Sequence, residues 1–253
     1  MILRRVMEHV KSQNWTAVAV DFLLVVLGVF IGIQLGNWND ARLDQRAYRD
    51  AMARLAEETA ETLHSASQTR TVINEMLSDV QPAIDVLRAC ETGATAEEIV
   101  NRGLNIIRSG RGVEAVTIAV DQLVENERLQ KRQSDEVSAV LRQFYSDLHR
   151  INSTVEFVQN AANVGRDEHP FIGFTGVVDP QTTFNGVDVR RARINAPLAE
   201  VCKDQSFLKL FYNWERSHVF QLKLIEELEA VTTENVRLLD LADVNTEVVE
   251  HGR

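Results

Sequence analysis

The chain is poor in the features that mark a catalytic site. Its 253 residues contain no G-x-S-x-G turn, no phosphate-cradling P-loop and no G-x-G-x-x-G. Hydrolases of the nucleophile-elbow type, P-loop NTPases and dinucleotide-binding enzymes therefore have no residue-level support. Cysteine is limited to Cys90 and Cys202, with no CxxC pair, no His–Cys cluster and no lipid-attachment cysteine, which excludes a thiolate zinc site and a thioredoxin-like motif. Two cysteines far apart leave open a disulfide in an oxidising compartment or two unconnected buried thiols. Four prolines, twelve glycines and 6% aromatic residues are little punctuation for this length, which favours long helices. A formal charge of −10 makes the chain a poor partner for nucleic acid.

Against that background one segment stands out. From Ala17 to Leu35 the chain is nearly unbroken apolar sequence, bracketed by Trp15 and Trp38. At about 1.5 Å per helical residue the two indoles lie roughly 35 Å apart, which suits anchors at the two interfaces of a hydrocarbon core of about 30 Å. The run is longer than a signal-peptide core and exits through Gln34, Gly36, Asn37 and Trp38 without a small-residue cleavage site, so it reads as an uncleaved signal anchor. The division expected is a basic head over 1–15, a transmembrane helix over 16–36, a helical extracytoplasmic domain over 37–241 and a polar, frayed tail over 242–253. Arg4, Arg5 and Lys11 against Glu8 give the head +2 and the remainder −12. Arg42, Arg46, Arg49 and Arg54 beyond the span oppose a simple charge count, but the short first flank usually dominates, which places the head in the cytoplasm.

Gly28, Gly32 and Gly36 recur every four residues, baring one face of the span so that another backbone can approach. Asp21 precedes Gly28 by seven residues and falls within about 20° of that face. A carboxyl group at this depth is costly unless it is protonated, paired or open to water.

The run from Asp21 to Asp40, with Val25-Val26-Leu27-Gly28, then Gln34 and Asn37-Trp38-Asn39, resembles the signature of an uncharacterised family of bacterial single-span membrane proteins. The resemblance covers about 25 residues and implies a bacterial inner membrane, with no established activity. Gly32 and Gly36 depart from it, since the family more often shows Ala and Asn there; the bare face is this sequence's own.

Beyond the span a heptad-like, coiled-coil stripe begins: Tyr48, Met52, Leu55, Thr59, Thr62, Ala66, Thr69, Ile73, Met76, Val80, Ile84 and Leu87. Steps of three and four define one helical face. Its seam is thin in the middle, where Thr and Ala collect, and Pro82 is expected to kink or restart the helix. Thr95-Ala-Glu-Glu98 reads as a capping box opening a short helix to Ile107, followed by a turn at Gly110 and Gly112. Two amphipathic helices are expected over 113–132 and 134–164. A last one, over 206–241, carries Phe207, Phe211, Trp214, His218, Leu222, Ile225 and Leu228 on one side. Between them, residues 165–205 hold three of the four prolines and four glycines, and read as a long loop or a small strand-bearing insert. The fold class expected is all-α: an N-terminal transmembrane helix continuing into an antiparallel helical bundle with one irregular insert.

Few constellations in the body suggest chemistry. Glu61/His64 and Glu215/His218 have the Glu-x-x-His spacing of helical-bundle metal sites. Glu61 and His64 flank the apolar stripe and point to solvent, whereas His218 lies on the buried side, where a hydrogen-bonded core histidine is the plainer reading. No catalytic, cofactor-binding or metal residues are assigned and no cofactor is expected. In the insert, Arg190, Arg191 and Arg193 sit beside Phe171, Phe174 and Phe184, a patch suited either to an anionic ligand or partner or to simple exposure, with the phenylalanines capping the bundle. The function expected is that of a membrane-anchored helical interaction or scaffold protein. Its partners are the bilayer and either further copies of itself or another membrane protein, and its body lies in the periplasm. The alternatives are a ligand-sensing helical domain acting through a membrane partner and, third, a metal-dependent enzyme.

If the stripe of Asp21, Gly28, Gly32 and Gly36 is a helix–helix contact, its strength follows from chemistry. Interhelical polar contacts in membranes are worth about 0.6–2 kcal/mol, so Asp21→Asn is tolerated, Asp21→Leu weakens association and Gly32→Ile weakens it further. A membrane two-hybrid reporter reads the span directly; a signal unchanged from the parent for both Asp21→Leu and Gly32→Ile would make the face lipid-exposed only.

Overall fold

The computed structural model describes residues 15–163, 168–174, 183–184, 187–188 and 190–251. Its helices are α1 Trp15–Ala89, α2 Ala94–Ile107, α3 Ile118–Glu125, α4 Glu127–Gln130, α5 Asp135–Asn163, α6 Leu198–Val201 and α7 Gln205–His251. Four short strands, β1 Ile172–Phe174, β2 Thr183–Phe184, β3 Val187–Asp188 and β4 Ala192–Ile194, form two antiparallel pairs, β1 with β4 and β2 with β3. The protein is all-α, as the periodicity predicts, and the insert carries the strands seen among the described residues.

Contacts divide the chain into Met1–Asp50 and Ala51–Arg253. In the first unit α1 is bare from Phe22 to Asp40, with Phe22 70% exposed and Leu35 60%, and Tyr48 further along is buried. Its most apolar stretch has a mean hydropathy of 1.7 with nothing buried, so α1 is long and apolar enough to cross a membrane and is not the covered helix of a soluble core. Cβ atoms added at Gly28, Gly32 and Gly36 would meet nothing within 4 Å.

The second unit is an antiparallel assembly. α1 and α7 run in opposite directions, tied by Arg70–Glu229 at 2.7 Å and by the Cys90–Cys202 disulfide. α5 runs against α7, with Arg150 and Glu227 2.6 Å apart. The stripe on α1 faces inward as expected: Leu55, Thr59, Thr62, Ala66, Ile73, Val80, Ile84 and Leu87 are buried. α5 contributes Val137, Leu141, Phe144, Leu148, Ile151, Val155 and Val158, and α7 contributes Phe207, Phe211, Trp214, Ile225 and Leu228. α2 closes the end of the bundle through Gly103, where a Cβ would stand 2.6 Å from that of Ala83 and 3.1 Å from the Phe211 ring; only glycine lets the helices approach so closely.

Several expectations are corrected. Pro82 does not restart α1, because Pro82 and Ser78 both lie on the exposed side, where water takes the carbonyl that proline cannot pair. The capping box at Thr95 does not form: α2 starts at Ala94 with Gly93 as its N-cap at φ 119°, a conformation glycine adopts without strain. The helix expected from Val113 begins five residues later, at Ile118, and is interrupted at Asn126, whose side chain caps α4 by accepting from the Arg128 N–H at 3.0 Å. Leu222 is only half-buried, Gln221 taking the inward position.

Cys90 ends α1 at φ 52°, and the Glu91 N–H reaches back to the Val86 carbonyl at 3.1 Å, the long bond of a Schellman turn. A non-glycine residue in this left-handed position is strained, and the bridge to Cys202 holds it there. The bridge closes a loop with a sequence separation of 112, so Cys90→Ser or Cys202→Ser is expected to cost about 2–5 kcal/mol in denaturant unfolding. A midpoint equal to that of the unreduced parent would place both thiols free in the folded protein.

Candidate functional site

Among the described residues, a strap without regular structure runs from Ser109 to Thr117, between α2 and α3. Val113 and Ala115 are buried, so the strap's peptide groups need partners that no strand supplies. Side chains of three helices provide them. From α5, Asn152 grips Ala115 with both ends of its amide, accepting from the N–H at 2.8 Å and donating to the carbonyl at 2.9 Å. From α1, Thr62 accepts from the Val116 N–H at 3.2 Å, and Glu58 accepts from the Ala119 N–H at 2.8 Å at the start of α3. From α7, the Trp214 indole donates to the Ser109 carbonyl at 2.8 Å, and the Arg111 N–H approaches His218 Nε2 at 3.5 Å.

His218 is therefore a core histidine. Its Nδ1 lies 2.9 Å from the Trp214 carbonyl and its ring stacks on Trp214 with centroids 3.8 Å apart. A ring protonated on Nδ1 and accepting at Nε2 satisfies both contacts. Glu61 and His64 point outward, as expected, and His64 lies 2.9 Å from Gln68 on its own helix. Among the described residues no three His, Cys, Asp or Glu side chains converge in a way that would hold a metal ion.

The insert meets the bundle in an aromatic layer. Phe171 packs against His169 and Phe207 with centroids 5.5 and 6.5 Å apart, on the end of the core. Phe174 does not cap it: the residue is exposed, and the Arg108 guanidinium lies 4.7 Å from its ring centroid. The Phe184 side chain lies outside the described residues; its backbone pairs with Val187. Arg190, Arg191 and Arg193 are exposed, and Arg193 approaches Glu97 of α2 at 3.9 Å, across from Gly173 in β1. The outer edge of β4 is covered by two asparagines of α2: Asn105 grips Ala192 at both its N–H and its carbonyl, and Asn101 accepts from the Ile194 N–H. Neither these asparagines nor Asn152 stand out in the sequence, because an Asn on a half-buried helix face carries no periodic signal.

One cluster has the composition of a catalytic triad. His169 Nε2 lies 2.9 Å from Ser206 Oγ, and that hydroxyl donates to Asp204. The proton order is wrong for a nucleophile. His169 Nδ1 accepts from the Phe171 N–H at 3.2 Å, so Nε2 carries the proton and donates to Ser206, which leaves no base to activate the hydroxyl. Asp204 instead caps α7, accepting from the Ser206 N–H at 2.7 Å and the Phe207 N–H at 3.2 Å.

In the first unit Trp38 is 64% exposed with Arg42 5.9 Å from its ring centroid, an arrangement suited to a membrane interface. Trp15 opens α1; its side chain and that of Asp21 lie outside the described residues. Searches against protein-family models, curated proteins and solved structures returned no match, so the family resemblance of the span rests on its own residues.

The Asp204 cap carries a pH dependence. The Ser206 hydroxyl first, then the Phe207 N–H, lower the Asp204 pKa below the ordinary carboxylate value. The unfolded chain therefore binds this proton more readily. The stabilisation is complete above the ordinary carboxylate range and is lost as pH falls through the lowered folded value. Asp204→Asn keeps a capping oxygen and is expected to flatten the acid side of the stability–pH curve. An unchanged slope in acid titrations followed by circular dichroism would remove Asp204 from that role.

Proposed function

We propose that this is a membrane-anchored helical interaction protein whose body occupies the periplasm of a bacterial cell and works by association. The observation that carries the reading is the bare apolar stretch of α1 in the same chain as a body closed by a disulfide. Such a stretch needs lipid or another apolar partner, and a bridge between distant cysteines is at home in an oxidising compartment. The basic head supports the orientation, the flanking tryptophans support the anchoring, and the bare glycine face supports contact with a second membrane helix. The hydrogen-bonding groups of His169, Ser206, Asp204 and His218 are engaged in holding the fold, which favours an association role over catalysis.

A ligand-sensing role is the second reading, and one observation favours it. Gln221 Oε1 and Thr232 Oγ1 are buried on α7 with no hydrogen-bond partner among the described residues, and buried polar atoms of this kind are where a small polar ligand or an ordered water is held.

Alkaline phosphatase fused after Arg253 is expected to be active, and mass measurement without reductant is expected to show no free thiol. An inactive phosphatase together with a fluorescent cytoplasmic reporter at the same site would reverse the orientation.

A further inference from the structure

We propose that the outward face of the α5–α7 seam is a docking surface for a second copy of this chain. It deepens the association reading by naming a partner, and it stands apart from the span, so the two fail separately.

The two helices run antiparallel in a register fixed at two heights. Arg150 meets Glu227 at 2.6 Å. Farther toward the insert the strap touches both helices at once: Arg111 against His218 on α7, and the adjacent Gly112 against Gln159 on α5. Phe157 lies seven residues beyond Arg150, and Phe220 seven residues before Glu227. Seven residues fall within about 20° of two full turns, so each phenylalanine stands on the face of its charged neighbour and the two stand at one height.

Both rings are open to solvent, Phe157 at 73% and Phe220 at 44%. Arg150 and Glu227 stay 49% and 41% exposed although they pair. Ser146 and Ser153 on α5 and Ala230 on α7 are exposed and small, so another surface can come close. Single exposed apolar residues are ordinary; two aromatic rings level with each other across a helix seam are a patch.

That patch is its own complement. A two-fold axis along the seam sets α5 of one copy against α7 of the other. Phe157 then faces the partner's Phe220, and Arg150 faces the partner's Glu227, each contact occurring twice. Ring meets ring and opposite charges meet at matching heights, because the helices are antiparallel within one chain. A second copy supplies this order by symmetry alone, and alternate pairing across the boundary keeps both charges satisfied.

The test uses the full-length chain in detergent and in native membranes. Arg150→Glu and Glu227→Arg each place like charges within the chain and across the boundary. When the two variant chains are mixed, opposite charges face each other only between chains. Each variant alone is expected to lose the dimer that the parent forms in native mass spectrometry, and the mixture is expected to recover it, with about tenfold more dimer than either variant alone. Circular dichroism melts establish that the variants are folded. As a second arm that leaves the charges intact, a benzophenone side chain in place of Phe157 is expected to capture the Phe220 segment of a differently mass-labelled copy. A monomeric parent, a dimer indifferent to both charges because the span alone holds it, or capture of a different protein at position 157 would each overturn the proposal.

Discussion

The body depends on satisfying the backbone of one buried strap. Residues 109–117 run without regular structure along the helices and press Val113 and Ala115 into the core, where no neighbouring strand offers a ladder. Each peptide group left unpaired there would cost about 1–3 kcal/mol, so the bundle closes only if its helices bring polar side chains to the right heights. Asn152, Thr62, Trp214 and His218 do this from three helices. These bonds also set register: α1, α5 and α7 are each pinned to the same nine residues, and so to one another.

This constraint explains what was legible in the sequence. The inward faces of α1 and α5 could be read because a 3.6-residue period is local: Ile73, Val80 and Ile84, or Leu141, Leu148 and Val155, announce their burial within a few turns. The strap could not. Val113 to Thr117 has the apolar spacing of a helix, and what unwinds it are partners 37 to 107 residues away in sequence. The same holds for the interruption at Asn126, where a local side-chain cap competes with an otherwise continuous amphipathic pattern. The restart expected at Pro82 fails in the other direction: proline is a strong local signal, yet the helix carries through it where its side faces water.

The candidate site was legible in part. His218 was readable as a core histidine from its place on an apolar helix face, whereas the insert's phenylalanines, on no periodic face, left capping and a ligand patch equally open. Phe174 meets Arg108, and Arg193 meets Glu97, only through the insert's tertiary path, so these pairings had no sequence signature. The His169, Ser206 and Asp204 cluster shows why composition alone misleads: the same three residue types that make a nucleophile make a helix cap when the histidine proton points the other way.

The Cys90–Cys202 bridge gives the chain the connectivity of a closed ring with two tails. α2, the strap, α5 and the insert all lie inside the ring, while the long apolar helix leaves by one tail and α7 by the other. A single cut of the backbone anywhere inside the ring would open it without dividing the molecule. A protease reaching the insert would therefore produce a nicked protein that remains one covalent piece, with α7 still attached to the helix that carries the membrane-length stretch.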